Sequence, residues 1–363
     1  MKWFGLLLII AVITTGCGDT KKSDAEFTET VYEPVHAVGF EIKATPDPDD
    51  SSRLLVTRSA WQGDGAARTS IVVDGTPAER IVAMSSSHVA MLDALGVSDR
   101  IVGVSGKGFL STPSVVTRID EIADVGYDGN IDYEKLISVR PDIILLYGVN
   151  GASSMESKLR ELGIPFVYIG DYMEETPLGK AEWLRFLAEI VGKQQLADSL
   201  MSEVSQRYAD LVSLVSGVDR RPSVMLNMPV GDQWYLPTPG GYMPRMINDA
   251  GGRYMFESDD PRTSVPVDFE TAYSMLSGAD LWLNPGGASD LTSIAVLAPK
   301  LAGMPAVADG KVFNNNARLT PGGGNDFWES SAVHPDIVLA DLISIIHPEL
   351  LPDRELYYFR RLQ

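Results

Sequence analysis

RIVAMSSSHVAMLDALG, residues 80–96, changes periodicity partway along. Ile81 to Met84 form a short apolar run. Ser85, Ser86 and Ser87 supply hydroxyls that can cap a helix, Val89, Leu92 and Leu95 share one helical face, and Gly96 ends it. A strand handed straight to a helix is the repeating unit of a parallel sheet, because parallel neighbours need a crossover between them. The unit recurs downstream. An apolar strand over 101–104 runs into the loop Ser105-Gly106-Lys107-Gly108-Phe109, Asp132 caps a helix over 133–139, and Pro141 separates it from a strand over 143–146. A further helix ends near Leu162 and leads into a strand over 166–169. The expected class is therefore α/β, with a first lobe over residues 77–175 built on a mostly parallel sheet covered on both faces.

After Pro177 no proline interrupts the chain until well past Ser216, and Trp183, Phe186, Leu187, Ile190, Leu196, Leu200, Val204 and Leu211 recur at helical spacing. Residues 176–217 are expected to form one long connecting helix, with Gly192 as the position for a kink. Strand-like segments at 224–227 and 281–284, and helical ones at 243–250 and 335–346, then predict a second α/β lobe over 218–363. Upstream, short alternating segments separated by Pro, Asp and Gly clusters predict an N-terminal β appendage over 32–76.

Lys2 is followed by an apolar run over 3–13 and then Thr14-Thr15-Gly16-Cys17, the layout of a secretory signal. The run is too short to span a membrane, which takes roughly 20 residues. Cys17 is the only cysteine, so no intramolecular disulfide can form. The segment resembles a bacterial lipobox, with Thr14 standing where a leucine-like residue is usual. That resemblance implies a signal peptide over 1–17, a lipid on Cys17, a flexible tether over 18–31, and a body held in the cell envelope facing the periplasm. The net charge is −19, from 49 acidic and 30 basic residues. Such a surface repels phosphates and disfavours a nucleic-acid partner.

One motif occurs twice. Ile131-Asp132-Tyr133-Glu134 returns as Val267-Asp268-Phe269-Glu270, each followed by a short helix and an apolar strand that Asp142 or Asp280 precedes. A glutamate in a first turn is favoured by the helix dipole, but the dipole does not account for its recurrence in both lobes. Together with residues 80–85, Leu95-Gly96-Val97, Arg140-Pro141-Asp142, Leu162-Gly163-Ile164-Pro165, Met246-Ile247 and Ala250-Gly251-Gly252, the repeat resembles the periplasmic binding proteins that serve ABC importers of ferric siderophores, haem and cobalamin. The resemblance implies two lobes joined by one long helix, a ligand in the cleft between them, and docking of Glu134 and Glu270 on arginines of an inner-membrane ABC permease. It also implies a monomer that captures an iron complex without catalysis, with cobalamin or haem as the alternative ligand.

In open parallel sheets ligands lie beyond the carboxyl ends of the strands. The loops there place Ser86, His88, Lys107, Phe109, Tyr127, Tyr147 and Tyr172 of lobe one, and Trp234, Tyr242, Arg318 and Trp328 of lobe two, as candidate ligand-binding residues. The many aromatics suit a ring-rich ligand, and Lys107, Arg245 and Arg318 would serve an anionic one. A bare metal ion is disfavoured because the chain has only four histidines, one in the appendage and one ahead of Pro348. No resident cofactor or metal is expected, and the bound ligand is expected to be a metal chelate. Thr320-Pro321-Gly322-Gly323-Gly324-Asn325 lacks the lysine of a phosphate loop and reads as a mobile cleft rim. An exported hydrolase would need Ser85, Ser86 or Ser87 beside a base such as His88, but the chain has no G-x-S-x-G elbow.

Overall fold

The computed structural model describes residues 22–58, 68–148, 151–260 and 262–363. Cys17 and the start of the expected tether lie outside them. The described chain opens with four antiparallel strands in sequential order, β1 (Glu29–Tyr32), β2 (Phe40–Ala44), β3 (Arg53–Arg58) and β4 (Arg68–Val73).

Lobe one follows. Its sheet runs β11-β10-β5-β6-β7 and every neighbouring pair is parallel, built from β5 (Ile81–Ala83), β6 (Ile101–Val104), β7 (Ala123–Asp124), β10 (Ile143–Leu146) and β11 (Phe166–Tyr168). A small hairpin, β8 (Gly126–Tyr127) with β9 (Asn130–Ile131), stands beside it. The crossovers carry α1 (Ser86–Ala94), α2 (Pro113–Val116), α3 (Tyr133–Ser138) and α4 (Glu156–Leu162). β5 and β10 are buried along their whole length, as expected for strands covered on both faces.

The N-terminal sheet shares this lobe's core. Phe40, Ile42 and Leu55 join the buried cluster that holds Val89, Leu92 and Trp183, and the Phe40 ring meets Trp183 edge-on at 5.0 Å. Two carboxylates fix the contact, Glu182 of the neighbouring connector and Glu174 just before it. Glu182 accepts from the Tyr32 hydroxyl and the amides of Val35, His36 and Ala37 at 2.6–2.8 Å. Glu174 accepts from the amides of Val38 and Gly39 and from the Trp183 indole.

The connector is two helices where the sequence predicted one. α5 (Pro177–Val191) stops because Gly192 adopts φ 69°, a left-handed conformation that closes a helix, and α6 (Gln194–Leu214) restarts after it. The break does not separate the lobes. Most of α5 and the start of α6, at Ala197 and Leu200, pack in lobe one, and the passage to lobe two falls within α6, whose Tyr208, Leu211 and Val212 pack there.

Lobe two has the sheet β14-β12-β16-β17-β18, parallel except for its last edge. Its strands are β12 (Ser223–Leu226), β14 (Arg253–Tyr254), β16 (Leu281–Leu283), β17 (Val312–Asn314) and β18 (Arg360–Arg361), with a hairpin of β13 (Gln233–Pro237) and β15 (Ser264–Asp268) beside them. Its helices are α7 (Tyr242–Asp249), α8 (Phe269–Ser277), α9 (Leu291–Leu297), α10 (Pro305–Ala308) and α11 (Pro335–Ile346).

The chain crosses between lobes a second time just before α11. Phe327 packs in lobe two against Tyr358 and Phe359, whereas Ala332 and Val333 sit in the lobe-one cluster. Between these anchors Glu329, with no exposed surface, accepts from the amides and hydroxyls of both Ser111 and Thr112 at the start of α2. A helix start leaves its first amides without partners inside the helix, and here the other lobe supplies the acceptor.

Candidate functional site

A cavity of about 680 Å³ opens between the lobes, walled by Ser86 and Phe109 of lobe one and by a larger surface of lobe two. The lobe-two floor is made at strand ends. Asn227 follows β12 and Asn284 follows β16, and both adopt left-handed backbone angles, φ 65° and 56°. Asparagine is among the few residues that tolerate this conformation, so each strand turns out sharply at its carboxyl end and leaves an amide facing the cleft. The last residue of β17, Asn314, continues the row with Asn315 and Asn316, and Asn325 adds a sixth amide.

Several of these amides are held in place. Asn314 donates to the carbonyls of Gly286 and Ala288, Asn316 donates to Ala288, and Arg360 donates to the Asn316 oxygen at 2.8 Å. Asn227 donates to the Tyr235 carbonyl. The Asn284 carboxamide oxygen is buried and has no hydrogen-bond partner among the described residues. Around the amides lie Met243, Pro237, Leu319, Phe109 and Trp328, the last two largely exposed at 59% and 61%.

The rim is closed by backbone against backbone. A Cβ at Gly322 or Gly324 would overlap the carbonyls of Gly108 and Phe109 across the cleft, and the Thr320 hydroxyl donates to Gly108. Glycine at 322 and 324 is what permits the approach.

Of the predicted ligand-binding residues, Ser86, Phe109 and Trp328 line this cavity. The others lie elsewhere for identifiable reasons. Trp234 is fully buried in the lobe-two core and donates its indole N–H to the Leu226 carbonyl. His88 is likewise fully buried, on the inner face of α1. Tyr172 donates its hydroxyl to the Gly148 carbonyl, and Tyr147 packs half-buried on the lobe-one core. Tyr127 is exposed on the β8–β9 hairpin, outside the cavity lining. The Tyr242 ring packs on the lobe-two core, with the Lys180 ammonium 5.5 Å from its centroid. None of the expected cations, Lys107, Arg245 and Arg318, is in the cavity lining. The Lys107 amide donates to Asp124, and Arg318 bonds Asp326 at 2.6 Å while its guanidinium stacks 4.2 Å over Tyr357. The asparagines were not among the candidates, although their signal is present in the sequence: each parallel strand of lobe two that faces the cleft is followed by, or ends in, Asn.

Burial makes His88 an acid sensor of stability. Loss of hydration disfavours the imidazolium and pulls its pKa from 6.5 to about 4, against the opposing pull of Asp171. The unfolded chain takes up this proton near pH 6.5 and the folded chain does not until about pH 4. The folded state therefore loses stability as pH falls through that window. Denaturant titrations at stepped pH are expected to show less acid sensitivity between these values for His88→Leu than for the native protein; equal slopes would contradict the assignment.

Glu134 and Glu270 are both exposed, in the first turns of α3 and α8. Each helix begins in the same way. Asp132 accepts from the Lys135 amide and Asp268 from the Thr271 amide, so the two glutamates occupy matching positions one residue inside the helix. Among the described residues no cluster of three or more His, Cys, Asp or Glu side chains is arranged to hold a metal ion.

Residues 81–319 match the family model described as periplasmic binding protein. An uncharacterized lipoprotein of Methanocaldococcus jannaschii is 26% identical over 299 residues, covering 79% of this chain and 69% of that one. An uncharacterized ABC transporter substrate-binding lipoprotein of Bacillus subtilis is 24% identical over 249 residues, 67% of this chain and 68% of that one. Among solved structures, a periplasmic binding protein from Veillonella parvula superposes with TM-score 0.63 at 17% identity, covering 81% of this chain and 98% of that one. A periplasmic haem-binding protein from Roseiflexus gives 0.59 at 19% identity over 75% and 99% of the two chains. An Fe3+-hydroxamate transport protein from Saccharomonospora viridis gives 0.59 at 20% identity over 77% and 96%.

Proposed function

The chain belongs to the periplasmic binding protein family, and from that premise we propose that it captures an iron complex, a ferric siderophore or related chelate, between its lobes and delivers it to the permease of an ABC importer. The observation that carries this reading is the cavity between the lobes, large enough for a small organic chelate and walled by residues of both. The name of the Bacillus subtilis relative supports the transporter role, and the iron-hydroxamate protein among the structural neighbours supports the ligand. Cobalamin or haem is the second reading, favoured by Phe109 and Trp328 at the cavity wall and by the haem-binding neighbour.

Tryptophan fluorescence tests it directly. Trp183, Trp234 and Trp282 are fully buried and do not line the cavity, which leaves Trp328 as the described tryptophan in its wall. Ferric siderophores, haemin and cyanocobalamin are titrated in turn. An iron chelate is expected to quench the emission, and Trp328→Phe to abolish most of the change while equilibrium dialysis still detects binding. Failure of every chelate to bind would overturn the proposal.

Anchorage and docking belong to the same reading. A lipid at Cys17 would hold the body at the membrane as a monomer, and no helix among the described residues is long and apolar enough to cross one. Cys17→Ser is expected to move the protein from the membrane pellet to the soluble fraction, because acyl chains provide the attachment. Retention in the pellet would remove the anchor. Glu134 and Glu270, exposed and matched between lobes, are the proposed contacts to permease arginines.

A further inference from the structure

The wall of the cavity carries no charge. Its sixteen lining residues are six asparagines, four glycines, Ser86, Pro237, Met243, Leu319, Phe109 and Trp328. Of the basic residues near it, Arg318 is paired with Asp326 and stacked on Tyr357, Arg245 bonds Glu175 and the Gly240 carbonyl, and Arg360 stands behind the wall, donating to Asn316 and the Ser289 carbonyl; none of them lines the cavity. An anion entering this space would lose hydration with no opposing charge on the wall itself to meet it, which disfavours its entry. A neutral polar ligand meets a different surface. Carboxamides both donate and accept, so the floor can pair with carbonyl and N–H groups alike without a net field.

Asn284 points to a ligand independently. It is 9% exposed, lines the cavity, and its buried oxygen has no partner among the described residues. A buried acceptor left unpaired is unfavourable, so the oxygen calls for a donor arriving from the cavity. Its backbone is fixed at the end of β16 by the left-handed turn.

We infer that the cleft selects chelates of no net charge that carry a hydrogen-bond donor on their periphery. This rests on the chelate-binding role proposed above and narrows it. For ferric iron, three singly charged bidentate arms, as in a tris-hydroxamate, give neutrality because the cation and its donors cancel. A tris-catecholate, whose doubly charged arms leave a trianion, is excluded, and so is haem with its ionised propionates.

The test compares affinities for four probes: ferrichrome, a neutral ferric tris-hydroxamate; ferric enterobactin, a trianionic tris-catecholate; haemin; and cyanocobalamin, which is neutral overall. Ferrichrome is expected to bind at least about a hundredfold more tightly than ferric enterobactin or haemin. Asn284→Gly, which keeps the left-handed turn and removes the carboxamide oxygen, is expected to weaken ferrichrome binding about tenfold or more. Leu319→Lys places a cation on an exposed part of the wall, 53% accessible, without burying it. It is expected to raise affinity for ferric enterobactin at least about tenfold, and it remains informative if Asn284→Gly fails to fold. Equal or tighter binding of the anionic probes by the native protein, or no effect of either substitution, would overturn the selection by charge. Cyanocobalamin binding with ferrichrome ignored would uphold neutrality and overturn the iron reading. Binding of none of the four would defeat the chelate role itself.

Discussion

A chain carrying Glu134→Arg together with Glu270→Arg is expected to bind its ligand normally and to support no uptake. Both side chains are exposed at first turns, outside the cavity lining, so neither fold nor cleft depends on them. Surface substitutions of this kind change stability by no more than about 0.5 kcal/mol. At a docking interface the same change sets arginine against arginine in both lobes at once, and like charges held together cost several kcal/mol. Ligand affinity by fluorescence, thermal midpoint and cellular uptake are the three readouts. Loss of affinity would mean that the glutamates act on the cleft. Undiminished uptake would leave them as helix-start residues favoured by the dipole.

Glu329→Ala is expected to be the most destabilising single change at the lobe interface, by about 2–4 kcal/mol. The carboxylate has no exposed surface and accepts from two amides and two hydroxyls of the other lobe. Truncation leaves those donors facing a void, and water can restore only part of what is lost. Chemical denaturation of Glu329→Ala beside Glu270→Ala checks the claim, since the second residue is exposed and its removal is expected to be near neutral. Matching midpoints for the two variants would show that the buried contact contributes nothing to the fold.

The alternation of strands and helices was legible because a buried parallel strand and its crossover helix have different periods, and β10 and α11 fall on the predicted residues. The connector's interruption falls at Gly192, the position expected for a kink, but apolar spacing continues through it and does not report that this glycine adopts a left-handed angle that ends one helix before the next begins. The site was harder to read. In β13 successive side chains face opposite ways, so Trp234 enters the core and Tyr235 is 47% exposed; register, which the sequence leaves open, decides which is which. His88 was read as a loop residue at a helix start, but α1 begins at Ser86 and turns the imidazole inward. No asparagine was singled out as a ligand contact because Asn beyond a strand is ordinarily a turn former. Their significance emerges only when neighbouring strands bring Asn227, Asn284 and Asn314 to one end of one sheet.

The second crossing at Asp326 to Val333 bears on mechanics. Two bodies joined at one point can tumble in any direction, whereas two bodies joined at two points turn only about the line through both. With α6 as one attachment and the Glu329 strap as the other, the lobes have a single axle. Torque applied by a partner gripping both lobes is then converted into one rotation.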